Sequence, residues 1–317
     1  MTKPSLVVTR RIRPDILAAL GERFELSHNQ ALDTPTTPAR LQELLGSAEY
    51  LFCTVADPVS AEVLASAPNL RMIATGAVGT NNIDLAVCRQ RGIAVSNTPD
   101  VLTETTADFG WALLMATARR ISESERYVRS GAWDGWSFDQ FSGRDLYGAR
   151  LGILGMGRIG RAIARRATGF GMSVLYHNRR PAQDEGAAQW VSKDVLMRES
   201  DFLMIVVPYS KDTHHLVDSA ALALMKPTAC LINIARGGVV DDDALADALE
   251  RGQIWAAGLD VFEGEPRLNP RLLGLEQVVL TPHIASSSIQ TRGRMMQLAA
   301  DNLMAHAQGL ALLTPVL

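Results

Sequence analysis

The sequence predicts an α/β protein of two domains, each built on a parallel sheet. Its 317 residues exceed what one hydrophobic core usually fills, and 47% of them are hydrophobic. Short runs rich in Val, Ile and Leu alternate with helical patterns, as parallel strands joined by crossover helices require. These runs are almost continuously apolar, which is typical of strands covered on both faces.

The predicted strands form two series along the chain. The first series comprises residues 5–9, 50–55, 71–75 and 92–97, with a helix after its first strand. The second series comprises residues 151–155, 173–177, 201–207, 229–235, 255–262 and 277–283. The pattern between the two series, over residues 102–131, predicts one long helix.

A second helical pattern, over residues 287–306, follows the last predicted strand. Because no new sheet remains for it to cover, we expect it to return to the first domain. We therefore predict a discontinuous substrate domain, residues 1–98 and 286–317, and a dinucleotide-binding domain, residues 99–285.

Composition excludes several classes of partner. A formal net charge of −3 provides no basic field for nucleic acid or an anionic membrane surface. The three cysteines, Cys53, Cys88 and Cys230, form no CxxC pair, so neither a disulfide framework nor a zinc knuckle is indicated. No apolar run approaches the length of a membrane span, and no secretory signal opens the chain. We expect a cytoplasmic protein without nucleic-acid or membrane partners.

A glycine-rich loop, GMGRIG from Gly155 to Gly160, lies between a predicted strand and a predicted helix. In this context Gly155 permits the tight turn, Gly157 lets the backbone approach a pyrophosphate, and Gly160 lets the helix pack on the strand. The N–H groups and partial positive charge of the helix N-terminus then face the phosphates. The loop, with Arg158 and Ile159, predicts a dinucleotide site.

The end of the next predicted strand indicates which dinucleotide is bound. NAD-binding proteins place a carboxylate there, on the ribose hydroxyls, whereas this chain has Asn178 followed by Arg179 and Arg180. Arginine clamps a 2′-phosphate that a carboxylate would repel. NADP(H) is therefore favoured and NAD(H) stays possible, since both arginines are also compatible with plain solvated surface charge.

Polar residues follow three later strands, at the sheet edge where open α/β sheets bind ligands. Arg236 is suited to pair with the carboxylate of a 2-oxo acid, His283 to donate a proton to its oxygen, and Glu265 to stabilise the imidazolium. Asp260 and Glu263 lie close to Glu265, and the pattern alone does not assign the roles of these three carboxylates.

The motifs together resemble the D-isomer-specific 2-hydroxyacid dehydrogenases over nearly the whole chain. The matching segments, in the order of that family, are ATGAVGTNNIDL, NTPDVLTETTADFGWALL, LGILGMGRIGRAIA, INIARGGVVDDDAL, AAGLDVFEGEP and TPHIASSS. The resemblance implies a Rossmann-type cofactor domain, a flavodoxin-like substrate domain, a homodimer, and hydride transfer from a nicotinamide.

The resemblance also implies site residues. Arg236, Glu265 and His283 fall on the catalytic triad, and the backbone N–H groups of Val78 and Gly79 fall on the loop that binds the substrate carboxylate. Thr54 is expected to border the substrate pocket. Further cofactor contacts are expected from Thr106, Val207, Pro208, Thr213, Ala235 and Asp260, the last on the nicotinamide carboxamide.

Within the family the chain looks most like glyoxylate/hydroxypyruvate reductases. This implies NADPH-dependent reduction of glyoxylate and hydroxypyruvate to glycolate and D-glycerate. Bacterial 2-ketogluconate reductases look similar, so a bulkier 2-oxo acid is an alternative substrate. Because the family includes transcriptional corepressors, a dinucleotide-sensing binding protein without significant turnover is a further alternative.

Two other features invite interpretation. The adjacent His214 and His215 suggest a metal pair, but neighbouring side chains normally diverge and no partner pattern accompanies them, so we interpret them as loop residues and expect no metal site. The aromatic stretch after the long helical pattern fits subunit packing or a pocket that reaches the neighbouring active site through Trp136. Its members are Trp133, Trp136, Phe138 and Phe141.

Overall fold

The computed structural model describes residues 2–28, 34–184 and 186–317. The strands are β1 (Ser5–Val8), β2 (Glu25–His28), β3 (Tyr50–Cys53), β4 (Met72–Thr75), β5 (Ala94–Ser96), β6 (Arg150–Leu154), β7 (Ser173–His177), β8 (Gln189–Trp190), β9 (Phe202–Ile205), β10 (Cys230–Asn233), β11 (Ala256–Leu259) and β12 (Val278–Leu280).

The helices are α1 (Pro14–Arg23), α2 (Pro38–Leu45), α3 (Ala61–Ala65), α4 (Leu85–Arg91), α5 (Thr103–Ala118), α6 (Ile121–Arg129), α7 (Arg158–Ala167), α8 (Lys193–Glu199), α9 (Ser219–Leu222), α10 (Asp242–Glu250), α11 (Pro270–Leu273) and α12 (Ile289–Ala307). Short 3₁₀ helices cover Thr168–Phe170 and Lys211–Thr213. Among the helices described, none is both long and apolar enough to span a bilayer.

The chain divides into two compact units, and each contains one parallel sheet, which confirms the predicted fold class. Unit 1 comprises Met1–Leu102 and Ser287–Leu317, and unit 2 comprises Thr103–Ser286. The sheet of unit 1 has the strand order β2-β1-β3-β4-β5, and that of unit 2 has the order β12-β11-β10-β9-β6-β7-β8.

The core of unit 1 lies on both faces of its sheet. In β1, Val7 packs into one hydrophobic cluster while Leu6 and Val8 pack into another, so successive residues are buried on opposite sides. Burial on both faces explains why these strands read as continuous apolar runs rather than alternating ones. Helix α12 covers one face, with Ala299 and Leu303 fully packed against β3 and β4.

In unit 2 the strand order reverses at β6, because β7 lies on one side of it and β9 on the other. Open parallel sheets bind ligands beside such a reversal, at the carboxyl ends of the strands. Helix α7 follows β6 directly and packs against α5, which also lies on β10 and β11. The sheet therefore brings the segments after β6, β9, β10, β11 and β12 to one edge.

The prediction of one long helix over residues 102–131 is wrong. Helix α5 ends at Ala118 and α6 begins at Ile121, because Arg120 adopts a left-handed backbone conformation with φ of 54°. The Arg144 backbone N–H donates to the Ala118 carbonyl at 2.8 Å, and this bond terminates the helix. The Arg120 guanidinium in turn pairs with Glu123 at 2.6 Å.

Candidate active site

The loop from Gly155 to Gly160 is shaped by its three glycines. Gly155 has a φ of 110°, which side chains rarely adopt, and an added Cβ there would lie 2.9 Å from the Val206 and Val207 backbone. A Cβ on Gly160 would lie 2.2 Å from the Gly155 carbonyl oxygen, so only glycine lets α7 start this close to β6. Glycine at both positions therefore allows the loop to lie directly against the first turn of α7.

Gly157 differs from these two glycines because it faces open space. It is the N-cap of α7 with a φ of −87°, and an added Cβ would meet no described atom within 4 Å. Because no described protein atom fills the space beside Gly157, a ligand can approach the backbone there. The N–H groups at the start of α7 border this space, so the residues present fit a pyrophosphate.

The segment after β7 supplies a neutral side chain and two exposed arginines. The Asn178 Oδ1 accepts a hydrogen bond from the Met156 backbone N–H at 2.7 Å, which ties this segment to the glycine loop. The Arg179 side chain is 92% exposed, and its Nη1 lies 3.9 Å from the Asp212 Oδ2. Arg180 is exposed as well. Neither guanidinium is committed to a short ion pair within the described residues.

A histidine–glutamate pair lies at the carboxyl ends of β11 and β12. The His283 Nδ1 lies 2.9 Å from the Glu265 Oε2, and the Phe262 backbone N–H donates to the Glu265 Oε1 at 2.9 Å. With Nδ1 turned toward a carboxylate, Nδ1 carries the proton of that bond and Nε2 is directed away from the pair. The fold brings together two residues that lie 18 positions apart in the sequence.

Charge around the pair favours an ionised Glu265. Burial acts to raise the pKa of this carboxyl, but the hydrogen bond and charge of His283, with the Phe262 N–H and Arg236, bring it below its ordinary value. Burial lowers the pKa of Arg236, against the opposing influence of the Glu265 and Asp260 carboxylates. The Arg236 guanidinium also donates to the Ala235 carbonyl at 2.9 Å.

Asp260 holds the turn that carries His283, a role that the sequence patterns did not indicate. It is fully buried, and its oxygens accept from the Thr281 hydroxyl at 2.7 Å and from the Ile284 and Ala285 N–H groups at 2.8 Å. Burial raises the pKa of Asp260, while these bonds oppose the rise. His283 itself has a φ of 54°, so the braced turn maintains a strained backbone. The contact of Asp260 with a cofactor stays a prediction.

The other predicted cofactor residues of unit 2 lie in the segments after β9 and β10 and in helices α5 and α7. Val207 and Pro208 follow β9, and the Thr213 hydroxyl donates to the Pro208 carbonyl at 2.8 Å. Ala235 follows β10 and is buried, and its N–H donates to the Asn233 side chain at 3.0 Å. Arg158 and Ile159 open α7. Thr106 is buried within α5.

The predicted substrate residues of unit 1 follow β3 and β4. The Thr54 N–H and hydroxyl donate to the buried Asp57 carboxylate at 2.8 and 2.9 Å. The Val78 side chain is exposed, and its carbonyl accepts from the Asn97 side chain at 2.8 Å. Gly79 continues the same loop. Thr54 was predicted only through the family resemblance, and its bonds to Asp57 had no sequence signal.

The expectation that His214 and His215 diverge is wrong. Their imidazole rings stack with centroids 3.9 Å apart, because His215 adopts a left-handed conformation with φ of 48°. A partner carboxylate also exists, since the His215 Nε2 lies 3.0 Å from the Glu263 Oε2. Glu263 was distant from these histidines in the sequence, so their spacing gave no sign of it.

A glycine loop at the strand-order reversal and a histidine–glutamate pair at the same sheet edge define a dinucleotide-dependent oxidoreductase. The model of the D-isomer specific 2-hydroxyacid dehydrogenase, NAD binding domain, matches residues 111–285. The chain belongs to the D-isomer-specific 2-hydroxyacid dehydrogenase family, as its motifs predicted, and it uses a nicotinamide dinucleotide.

Curated relatives and solved structures agree with this assignment. The glyoxylate reductase of Thermococcus onnurineus is 44% identical over 97% of this chain and 94% of its own, and that of Korarchaeum cryptofilum is 47% identical over the same shares. An NADPH-dependent glyoxylate/hydroxypyruvate reductase from Sinorhizobium meliloti, solved with NADP and malonate, has a TM-score of 0.89 and 35% identity, covering 99% of this chain and 97% of that one.

Proposed function

We propose that the protein reduces small 2-oxo acids, glyoxylate and hydroxypyruvate, with NADPH. The observation that carries the proposal is the 2.9 Å contact between His283 and Glu265, at the sheet edge that also holds Arg236 and the glycine loop. Such a set supplies an acid for the developing alkoxide and a cation for the carboxylate of a 2-oxo acid. Relatives named glyoxylate reductase, 43–47% identical, support this choice of substrate.

The residues take separate roles in the reaction. The reduced nicotinamide, when bound, supplies the hydride that adds to C2 of the 2-oxo acid. The His283 imidazolium gives its Nε2 proton to the carbonyl oxygen, which becomes the hydroxyl of the product. The Glu265 carboxylate, on Nδ1, orients the ring and stabilises its charged form before transfer. Arg236 pairs with the substrate carboxylate in fork geometry and holds C2 in place.

The preference for NADPH rests on the segment after β7. Arg179 is 92% exposed and only loosely paired with Asp212, so its guanidinium is available for a 2′-phosphate. Asn178 places no negative charge beside that phosphate. NADH lacks the 2′-phosphate that Arg179 would bind. We therefore expect NADH to serve as the weaker hydride donor.

We assign substrate binding also to Thr54, Val78 and Gly79 on the strength of the family resemblance. In this proposal residues 1–98 and 286–317 form the substrate domain and residues 99–285 the dinucleotide-binding domain. Cofactor contacts are assigned to the glycine loop with Arg158 and Ile159, to Asn178, Arg179 and Arg180, and to Thr106, Val207, Pro208, Thr213, Ala235 and Asp260.

We further propose a homodimer, because several large aromatic side chains in the segment after α6 are exposed to solvent. Trp133, Trp136 and Phe138 are all exposed, and Trp136 packs edge-on against Phe138 with centroids 4.7 Å apart. Aromatic residues concentrated on one exposed segment are typical of subunit interfaces. Sedimentation velocity tests this assembly, with a monomer at micromolar concentration as the contrary result. A cytoplasmic location is part of the same proposal.

The substrate proposal is tested by following cofactor oxidation with a panel of 2-oxo acids. The panel contains glyoxylate, hydroxypyruvate, pyruvate and 2-ketogluconate, each with NADPH and with NADH. We expect the highest kcat/KM for glyoxylate or hydroxypyruvate with NADPH. A higher kcat/KM for 2-ketogluconate would move the assignment to bulkier acids, and no turnover of any acid would leave a dinucleotide-sensing protein.

A further inference from the structure

His214, His215 and Glu263, here called the histidine cluster, lie together on the surface of unit 2. Each contributes a metal-ligating atom, and these atoms all lie within 4.8 Å of one another. The His215 Nε2 is 3.2 and 3.0 Å from the two Glu263 carboxylate oxygens. We propose that the histidine cluster is a binding site for a divalent transition-metal ion, of which Zn²⁺ fits the ligands best.

The spacing of the cluster suits such an ion. Zinc binds imidazole nitrogen and carboxylate oxygen at about 2.0–2.2 Å in tetrahedral geometry, which separates neighbouring ligand atoms by about 3.4 Å. The distances from the His215 Nε2 to the Glu263 oxygens, 3.2 and 3.0 Å, are close to this value. The stacked ring of His214 is exposed, and its ligand nitrogen lies within 4.8 Å of the other two ligand atoms.

Groups around the cluster orient the two rings as metal-binding histidines require. The Tyr209 hydroxyl lies 3.3 Å from the His214 Nδ1, and the Asp241 Oδ2 lies 3.6 Å from the His215 Nδ1. An oxygen at Nδ1 leaves Nε2 as the ligand atom, which is the usual arrangement of a histidine bound to a metal. The His215 ring therefore presents Nε2 to Glu263, and the Nδ1 atoms of both rings lie near outer oxygens.

The donor set selects the class of ion. Two imidazoles and one carboxylate suit Zn²⁺, Ni²⁺, Cu²⁺ or Co²⁺, whereas Mg²⁺ and Ca²⁺ prefer oxygen ligands alone. Three protein ligands leave room for water in the remaining position. The His215 and Glu263 side chains are 33% and 42% exposed, so an ion reaches them from solvent without a rearrangement of the fold.

The position of the cluster gives a bound ion a structural effect. His214 and His215 follow the 3₁₀ helix Lys211–Thr213, while Glu263 follows β11, and the His215 N–H donates to the Gly238 carbonyl at 2.7 Å. An ion would cross-link the His214–His215 segment to that of Glu263, and these two segments also carry Thr213 and Glu265. Binding only to the folded chain raises the midpoint of thermal unfolding.

The test is a calorimetric titration of the metal-free full chain with ZnCl₂, for the wild type and three variants. We expect one zinc ion per chain in the wild type. His214→Ala removes an exposed ligand, and Glu263→Gln removes the carboxylate charge, so each should weaken zinc binding at least about tenfold. Excess Mg²⁺ or Ca²⁺ should not compete.

His283→Asn is the matched control, because the His283–Glu265 pair is the other place where zinc could bind a histidine and a glutamate. Asparagine tolerates the left-handed conformation at this position. We expect His283→Asn to bind zinc as the wild type does. Loss of binding in this variant alone, unchanged binding in His214→Ala, or no binding by the wild type would overturn the proposal.

Discussion

Unit 2 contains two histidine–glutamate pairs of nearly the same geometry. His283 lies 2.9 Å from Glu265, and His215 lies 3.0 Å from Glu263. Both histidines adopt the left-handed conformation, with φ of 54° and 48°. The two glutamates are separated by Gly264 alone, and they extend to different histidines.

The neighbours of the two pairs differ. Glu265 also accepts from the Phe262 N–H and lies in the field of Arg236, which together with His283 lowers its pKa against the effect of burial. The His215 pair has a second imidazole stacked upon it, and within the described chain its ion-pair partners are the carboxylates of Asp241 and Glu263. The two pairs share their geometry, so the difference in proposed role, proton transfer for one and metal binding for the other, rests on the neighbouring groups.

The largest expected effect comes from removing the proposed proton donor. His283→Asn should lower kcat for glyoxylate by about 10²–10⁴-fold, the usual contribution of general acid catalysis, while thermal stability changes little. His215→Asn is the matched variant of the other pair, and it should leave kcat near the wild-type value in metal-free buffer. Equal losses in both variants would remove the distinction between the pairs.

The glycine loop offers a second contrast, between Gly157 and Gly160. The Cβ of Gly157→Ala would meet no described atom within 4 Å, so the unfolding midpoint should fall less than in Gly160→Ala. NADPH binding should weaken about 5–150-fold, equivalent to about 1–3 kcal/mol of overpacking against the ligand. Fluorescence titration with NADPH measures the affinity. Unchanged affinity in a folded Gly157→Ala would contradict the assignment of this loop.

Gly160→Ala is the control for that experiment. Its Cβ would lie 2.2 Å from the Gly155 carbonyl oxygen, so this variant should lower the free energy of unfolding by about 1–3 kcal/mol even without cofactor. Chemical denaturation of the cofactor-free chain measures the difference. A Gly160→Ala chain as stable as Gly157→Ala would show that the loop relaxes freely.

A smaller effect is expected from Arg179→Ala. The loss of one charge-assisted contact to the 2′-phosphate should raise KM for NADPH about tenfold, equivalent to about 1.4 kcal/mol. KM for NADH should stay unchanged, because NADH lacks that phosphate. Parallel increases in both KM values would indicate a general disturbance of the site.

The smallest effect concerns pH and Glu265. Its pKa in the folded chain is below the ordinary value of 4.5, so ionised Glu265 adds stability above that pH, and the contribution is lost as pH falls through the lowered pKa. Glu265→Gln lacks this dependence. Denaturation across the acid range should show the wild type losing its advantage over Glu265→Gln as pH falls. A pH-independent difference would contradict the charge interaction with His283.

The sequence patterns predicted both parallel sheets and the strand–loop–helix unit around Gly155. This was possible because burial on both faces gives long apolar runs, and because Gly155 and Gly160 occupy positions where a side chain would clash. The strands β2 and β8 were missed, because β2 has one apolar residue among its four and β8 consists of only two residues, both exposed. The helix break at Arg120 depends on a bond from Arg144, which no local pattern reveals.

The candidate site was predicted only in part for the same reason. Motif order gave Arg236, Glu265 and His283, but not the bracing of the His283 turn by Asp260, which depends on three hydrogen bonds across the sheet edge. The stacking of His214 on His215 was also missed. It depends on a left-handed residue other than glycine, a conformation that tertiary contacts impose.

We propose that this site reduces 2-oxo acids to 2-hydroxy acids of D configuration with NADPH. Chiral analysis of the glycerate formed from hydroxypyruvate and NADPH tests it most directly. We expect D-glycerate in amounts equal to the NADPH oxidised. L-glycerate, a racemic product or no glycerate would contradict the proposed reaction.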